Sequence, residues 1–340
     1  MLTLIAPCKL NLCLYVTGKR PDGFHNLQSV FTPLSFGDTM SFASGAMAGL
    51  KASMALSDSA DSDYYAQIDA NGHQIKEAPG ATLALAFMPG HELSQFDPEH
   101  GIELTLTQPL KIKLQDNLIY RAARLLQETT GQKFEVAIGI KKRIPMGGGL
   151  GGGSSNAATT LLALNHMFKL GLSVDKLAEL GAQLGSDVPF FVHGTNALVE
   201  GRGEIITPID LAEQYFLVVT PQVHVSTKDV FCDPALKSHY SAPRSHEAVL
   251  SEPFGNDLVP VVTKKFCEIG HTLERLVKYG RPAMSGSGAS CFVACSSQEA
   301  AQAAFAEVTQ HNLNLGCGYS VFVAHSMSPS ATIAALAQSA

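Results

Sequence analysis

Residues 147–153 hold six glycines in seven positions, and Ser154-Ser155-Asn156 follow at once. Glycine lets the backbone take positive φ and lets another group come close to it. Just upstream, Phe134, Val136, Ile138 and Ile140 alternate as in a strand. Just downstream, Ala157, Leu161, Leu162 and Leu164 recur at helical spacing, and Gly171 ends the run. The spacing predicts a strand over 134–141 and a helix over 155–169, capped by Ser154 or Ser155. A glycine-rich turn between strand and helix is a ready anion site. First-turn N–H groups lack partners, and the helix dipole favours negative charge.

Three readings of this loop compete. A Walker-type loop needs a lysine within it, and none is present here. Gly147-x-Gly149-x-x-Gly152 matches the dinucleotide fingerprint. That fingerprint wants an acidic residue at the end of a second strand, whereas Asp175 lies in a stretch spaced like a helix, 174–184. A flexible linker would not abut so periodic an apolar helix. A nucleotide-phosphate loop without its own lysine accounts best for the segment, and it requires a cation from elsewhere.

The opening strand offers one. Lys9, Asn11, Cys13 and Tyr15 alternate with Leu10, Leu12, Leu14 and Val16. Alternation puts Lys9 and Asn11 on one face. A half-buried strand with a wet face would look the same. Arg20-Pro-Asp-Gly23 carries tight-turn residues, and Phe24-His25 follows, so the chain should fold back and bring a ring and an imidazole toward the first strand. Asp187, in Gly185-Ser-Asp-Val-Pro189, sits at a turn after the predicted helix 174–184. It either satisfies that turn or accepts a proton from an attacking hydroxyl, the one acid–base task in phosphoryl transfer. Ser285-Gly-Ser-Gly-Ala-Ser290 reads as a loop entering a buried strand. It is an ordinary glycine turn or a place of close backbone approach.

Taken in order, a strand with lysine, a Pro-x-x-x-Gly-Leu-Gly-type loop and a late Gly-x-Gly-Ala loop resemble the GHMP small-molecule kinases. Ala6-Pro-Cys-Lys9-Leu-Asn11, Thr17-Gly-Lys-Arg-Pro-Asp22-Gly23-Phe-His25, Leu150-Gly-Gly-Gly-Ser-Ser-Asn156, Gly185-Ser-Asp187-Val-Pro189 and Glu200-Gly-Arg-Gly203-Glu resemble one branch more closely. That branch is the family of 4-diphosphocytidyl-2-C-methyl-D-erythritol kinases, and the resemblance spans roughly 1–40 and 111–330. It implies an α+β fold of two domains. A ribosomal-S5-domain-2-like ATP-binding domain would cover 1–210, and a ferredoxin-like domain over 211–340 would contribute to substrate binding. It implies ATP and Mg²⁺ as cofactors and a small-molecule substrate bearing a cytidine diphosphate. Asp187 and Lys9 would be catalytic, with Lys9 also holding Asp187 ionised. Pro145, Gly147, Gly148, Gly149, Leu150, Gly151, Gly152, Gly153, Ser154 and Ser155 would cradle ATP phosphates, with Asn117 near adenine. Asn11, Phe24, His25, Phe231, Gly286 and Gly288 would bind substrate, with His25 on the cytosine edge and Phe24 and Phe231 stacked on the base. The family commonly has tyrosine where Phe24 stands. A stacking role survives that change and one hydrogen bond does not. The rival readings are another GHMP alcohol kinase or a nucleotide-binding regulator without chemistry.

Composition narrows the alternatives. Of 340 residues, 46% are hydrophobic and 16% charged, so a chain of two modest domains can bury a core. Net charge is −6 without a basic stripe, which argues against nucleic acid. Phosphates must then be held by local dipoles and a few cations. Seven cysteines without Cys-x-x-Cys spacing suit a reduced cytoplasm, and twelve histidines without paired spacing give no metal site. The first residues alternate like a strand and do not form a signal peptide. No run of about 18 apolar residues spans a membrane. The oligomeric state stays open between monomer and weak homodimer.

Further strands are expected at 2–17, 25–36, 102–114, 197–201, 204–208, 215–219, 289–295 and 319–324. Helices are expected at 117–129, 246–252, 257–279 and 298–309. The second half then reads β-α-β-β-α-β with antiparallel pairing. Residues 41–110 form an insert longer than the family's usual hairpin. Asn71-Gly72 signals a type I′ turn there, and 95–101 reads as exposed loop. The insert is expected to extend the hairpin or cover a surface.

Overall fold

In a computed structural model, residues 1–45, 65–67, 94–106, 112–251, 253–315 and 318–338 are described. The expected Asn71-Gly72 hairpin lies outside them, as does most of the insert.

Two long strands organise the first unit. β1 (Leu2–Lys19) and β2 (His25–Ala43) pair antiparallel through the Arg20–Phe24 turn. Both are buried along most of their length, because both faces are covered. After β3 (Tyr65–Gln67) come β4 (Ser94–Asp97), β5 (Ile102–Leu106), helix α1 (Leu118–Thr130), β6 (Val136–Lys141), α2 (Gly152–Met167), α3 (Val174–Ala182), α4 (Val188–His193), β7 (Ala197–Gly201) and β8 (Ile205–Pro208). The sheet runs β4-β5-β6-β2-β7-β8, with β1 on β2; only the β5–β6 pair is parallel.

The second unit begins with β9 (Tyr215–Thr220). It continues through α5 (Thr227–Phe231), α6 (His246–Leu250), α7 (Val259–Lys265), α8 (Cys267–Leu276), β10 (Pro282–Met284), β11 (Cys291–Cys295), α9 (Gln298–Leu315), β12 (Ser320–His325) and α10 (Ala331–Gln338). Its sheet order is β10-β11-β9-β12-β3, all antiparallel. Setting β3 aside, this is the ferredoxin-like order expected of a β-α-β-β-α-β chain. The α+β fold expected from the sequence holds.

The layers stack as helices, sheet, sheet, helices. α1, α2 and α4 pack Leu126, Leu161 and Phe190 on one face of the first sheet, with Met40, Phe42 and Ile138. Leu10, Leu34 and Phe36 face the second sheet and meet Phe216, Val218, Phe292 and Phe322. The Phe36 and Phe322 rings stack at 4.0 Å between centroids. On the far side α7, α8 and α9 bury Val262, Ile269 and Ala304 against Leu217, Val293 and Val321. The last helix, α10, returns to pack beside the first-sheet core through Ile333 and Leu336.

Several local expectations are corrected. Gln95–Asp97 belongs to a strand paired with β5, where an exposed loop was expected; the turn occupies only residues 98–101. Of the strand expected over 102–114, Ile102–Leu106 is a strand and Leu114–Asp116 is a 3₁₀ turn, while 107–111 lie outside the described residues. The helix expected over 257–279 is broken at Phe266, whose φ of −129° and ψ of 88° leave the helical region. The alternation along β1 also fails. A bulge between Asn11 and Cys13 reverses the faces, so Cys13 and Tyr15 join Leu10 and Leu12 against the second sheet. An extra residue on one strand shifts every later side chain to the other face. Leu14 and Val16 are thereby sent to the core beneath α7 and α8.

The stacked aromatic contact sets the strength of the junction between units. Phe322 is wholly buried, and replacing such a ring with alanine typically costs about 3–5 kcal/mol. Phe322→Ala should lower the unfolding free energy from urea titration by that amount, through a lower midpoint at unchanged slope, with the transition still single, since both sheets share the core it fills.

Candidate active site

The glycine loop begins on a fixed point. Asp38, wholly buried on β2, accepts from the N–H groups of Arg143 (2.7 Å) and Ile144 (2.9 Å) and pairs with the Lys142 ammonium. The chain leaving β6 is therefore anchored before Pro145. From there to Ser154 the loop lines a cavity of about 380 Å³ together with Asn117, Lys142 and Ile140. Asn117 sits at the cavity's edge as the cap of α1, its side chain accepting from the Ile119 N–H at 3.0 Å.

The helix after the loop starts earlier than expected. Its cap is Gly151, at φ 72°, and Gly152 is its first residue; neither serine caps it. Ser155 is drawn into the protein instead, and its hydroxyl has no partner among the described residues. The N–H groups of Gly152, Gly153 and Ser154 stand in the unpaired first turn beside the cavity. A side chain at Gly149 would strike the Ser285 carbonyl, 2.3 Å from where its Cβ would lie. One at Gly151 would strike the Phe191 ring at 2.8 Å and stand 3.2 Å from Lys9 Cγ. Those two glycines are required by close approach.

Lys9 approaches from the other side of Gly151. Its N–H donates to the Leu150 carbonyl at 3.0 Å, which ties β1 to the loop. Its Nζ lies 3.6 Å from Asp187 Oδ2, donates to Asn11 Oδ1, and stands over the Phe31 ring at 4.4 Å. Asp187 caps the short α4, where Pro189 occupies the first turn. The lysine is only 4% exposed, whereas the Asp187 side chain keeps 28% of its surface. Burial pushes the Lys9 ammonium below the ordinary lysine value of 10.5, and the Asp187 carboxylate pulls it back. Neither side chain lines the loop cavity.

The late glycine segment closes on the same place. Ser285 Oγ donates to the Gly149 carbonyl at 3.0 Å and accepts from the Asn11 N–H at 3.1 Å. The Ser290 N–H donates to the Gly148 carbonyl at 3.0 Å. Of the two open readings, the close backbone approach is the one found. Gly286 lies against Asn11, while Gly288 faces Met284, Ile269 and Val262 in the core. Asn11 is held further by its amide donating to Ser29 Oγ at 3.0 Å.

A second cluster lies at the far end of the hairpin, where His25 pairs with Lys19. The Phe231 ring stands 5.3 Å from that of His25, and the Tyr240 hydroxyl is 2.9 Å from His25 Nε2. Burial and then the Lys19 charge hold the His25 imidazolium below its ordinary range. Phe24 does not join these rings. It is 57% exposed, with the Arg202 guanidinium over its face at 5.2 Å. The helix α5, which carries Phe231, begins beside the first cluster: Thr227 Oγ1 is 2.8 Å from Ser287 Oγ. One short helix thus joins the two groups. The structure brings together Lys9, Asn11, Asp187, Gly149 and Gly151 in one place, and His25 with Phe231 in the other. Tyr240, Ser29, Phe31, Asp38 and Lys142 were missed from the sequence, because each reaches its neighbours only through pairing of distant segments. The Ser285 hydroxyl could have been suspected, since its glycine segment was already suspect.

The family described as "GHMP kinases N terminal domain" matches residues 117–195. The chain is 40% identical over 314 residues to the 4-diphosphocytidyl-2-C-methyl-D-erythritol kinase of Alcanivorax borkumensis, covering 91% of this chain and 88% of that protein. The chain belongs to the 4-diphosphocytidyl-2-C-methyl-D-erythritol kinase family, within the GHMP kinases. A crystal structure of 4-(cytidine 5'-diphospho)-2C-methyl-D-erythritol kinase is similar at 27% identity and a TM-score of 0.66, over 95% of this chain and 99% of that one. Methanococcus jannaschii mevalonate kinase shares the fold at 13% identity and a TM-score of 0.55, over 96% and 98% of the two chains. Among the described residues no helix is long and apolar enough to cross a membrane.

The buried lysine opposes folding. A depressed lysine pKa means that the unfolded chain holds the proton more tightly. The penalty therefore stands below the folded pKa and fades as pH rises toward 10.5. Lys9→Met keeps the stem and removes the charge, and Asp187 keeps its exposure to solvent. At pH 7 this variant should melt at the same temperature as the parent or a few degrees higher, while its catalytic turnover falls by orders of magnitude. A clear loss of melting temperature by calorimetry would contradict the desolvation argument.

Proposed function

We propose that this chain transfers the γ-phosphoryl group of ATP to the 2-hydroxyl of 4-diphosphocytidyl-2-C-methyl-D-erythritol. The observation that carries the reading is the Lys9–Asp187 pair set against Gly151 of the glycine loop, in a member of this family. Asp187 is the one acidic group of that cluster and keeps access to solvent. It accepts the proton of the attacking hydroxyl as the new oxygen–phosphorus bond forms. The bond from the γ-phosphorus to its bridging oxygen breaks, and ADP leaves. Lys9 supplies the positive charge that the loop lacks and sits where it can offset the charge spread over the transferred group. Asn11, restrained by Ser29 and Ser285, keeps the Lys9 ammonium aimed.

The loop cavity suits a triphosphate. It presents glycine N–H groups, the first turn of α2 and the Lys142 ammonium, and a side chain at Gly149 or Gly151 would collide with neighbouring protein. Asn117 and the apolar Ile140 and Leu118 would take the adenine side. Among the described residues no three His, Cys, Asp or Glu side chains converge on one point. Mg²⁺, when bound, would supply charge neutralisation at the phosphates that the glycine loop, the first turn of α2 and Lys142 would hold. His25 and Phe231 would hold the cytosine, one by hydrogen bonding and one by stacking. Phe24, standing apart with Arg202, would reach the base only if the bound substrate extends to the hairpin turn.

Release of ADP in a coupled assay, with ATP and the cytidyl substrate, tests the reading directly. Asp187→Asn should lower kcat by a factor of about 10² or more, with the melting temperature kept. Omission of the cytidine from the substrate should raise KM strongly. Equal use of a simple polyol would reassign the chain to another alcohol.

A further inference from the structure

Tyr240 joins His25 and Phe231 from a segment that no motif of the sequence marks. It is delivered by the 3₁₀ turn Pro234–His239, and the next residue is fixed: the Ser241 N–H donates to the Val16 carbonyl at 2.9 Å, and its hydroxyl donates to Asp257 at 3.0 Å. The ring packs partly into the core beneath α7 and meets His25 edge-on, with centroids 5.8 Å apart at 75°. Its oxygen lies 2.9 Å from His25 Nε2. His25 is 7% exposed, and Nδ1 has no protein partner among the described residues.

A neutral imidazole has one N–H and one bare nitrogen. The His25 environment disfavours the charged form, and burial keeps the Tyr240 phenol protonated. A phenolic O–H is a better donor than its oxygen is an acceptor, and a bare imidazole nitrogen is the stronger acceptor of the pair. The hydroxyl therefore donates to Nε2, and the ring proton is left on Nδ1. We propose that Tyr240 is a specificity-determining positioning residue: its hydroxyl fixes His25 as the Nδ1–H tautomer, so that the pocket selects a pyrimidine with an acceptor at N3, cytosine over uracil. The inference rests on the reading of His25 as a base contact. Cytosine offers acceptors at both N3 and O2, whereas uracil carries a hydrogen at N3. A donor on His25 is satisfied by the first and opposed by the second.

The test uses the full chain with two readouts. Nitrogen-15 spectra of the histidine-labelled protein report the tautomer, the His25 signals being assigned by their loss in His25→Gln. The wild type should show Nδ1–H, and Tyr240→Phe should shift His25 toward Nε2–H. In parallel, kcat/KM is measured with the cytidyl substrate and its uridyl analogue. Tyr240→Phe should raise KM for the cytidyl substrate about tenfold, with a smaller change in kcat, an unchanged KM for ATP and a reduced preference over the uridyl analogue. Nε2–H in the wild type, or an undiminished preference in Tyr240→Phe, overturns the assignment to Tyr240. A wild type that uses both analogues equally well instead overturns the base-pocket reading on which it stands.

Discussion

The hydrogen bond from the Lys9 amide to the Leu150 carbonyl joins the two parts of the molecule on which the site depends. It holds the opening strand against the glycine loop, and so brings the buried ammonium beside Gly151. Such an approach is possible only where the loop has no side chains. The same absence lets Ser285 and Ser290 reach the carbonyls of Gly149 and Gly148 from the second unit. Three segments far apart in the chain therefore meet as backbone against backbone, with glycine giving up conformational restraint in exchange for proximity.

The ammonium placed this way is costly to bury, and the role proposed for it draws on the same cause. At 4% exposure it has lost most of its hydration, and its partner at 3.6 Å compensates in part. In a site of reduced dielectric, a fixed charge acts more strongly on a developing negative charge than it would in water. Asn11, Ser29 and Ser285 hold it in place. Asp38 performs a comparable task at the other end of the loop, where one buried carboxylate satisfies two backbone N–H groups and the Lys142 ammonium.

Much of the fold was legible. The strong periodicity of Leu118–Thr130, Gly152–Met167 and Val174–Ala182 marked helices, and the alternation before the loop marked β6. Three strands of the second unit, β9, β11 and β12, were also legible; β10, only three residues long, left no alternating pattern to read. Residues 95–101 misled because their polar composition resembles a loop, while pairing with β5 makes a strand of Ser94–Asp97. The two serines misled because hydroxyls after glycine look like caps; packing pulled Ser155 inward and left a left-handed glycine to cap the helix.

The chain alone dictated the phosphate-loop signature, the lysine strand, the turn acid and the family they mark, because those depend on residue type and near spacing. Tertiary structure decided which of these groups touch. A single bulge between Asn11 and Cys13, invisible in the alternating pattern, sends Tyr15 to the core and leaves Lys9 and Asn11 facing the acid. Only the folded arrangement sets Tyr240 on His25 and Arg202 on Phe24. Contacts across two hundred residues depend on where strands end and how sheets stack, and short-range periodicity carries no record of either.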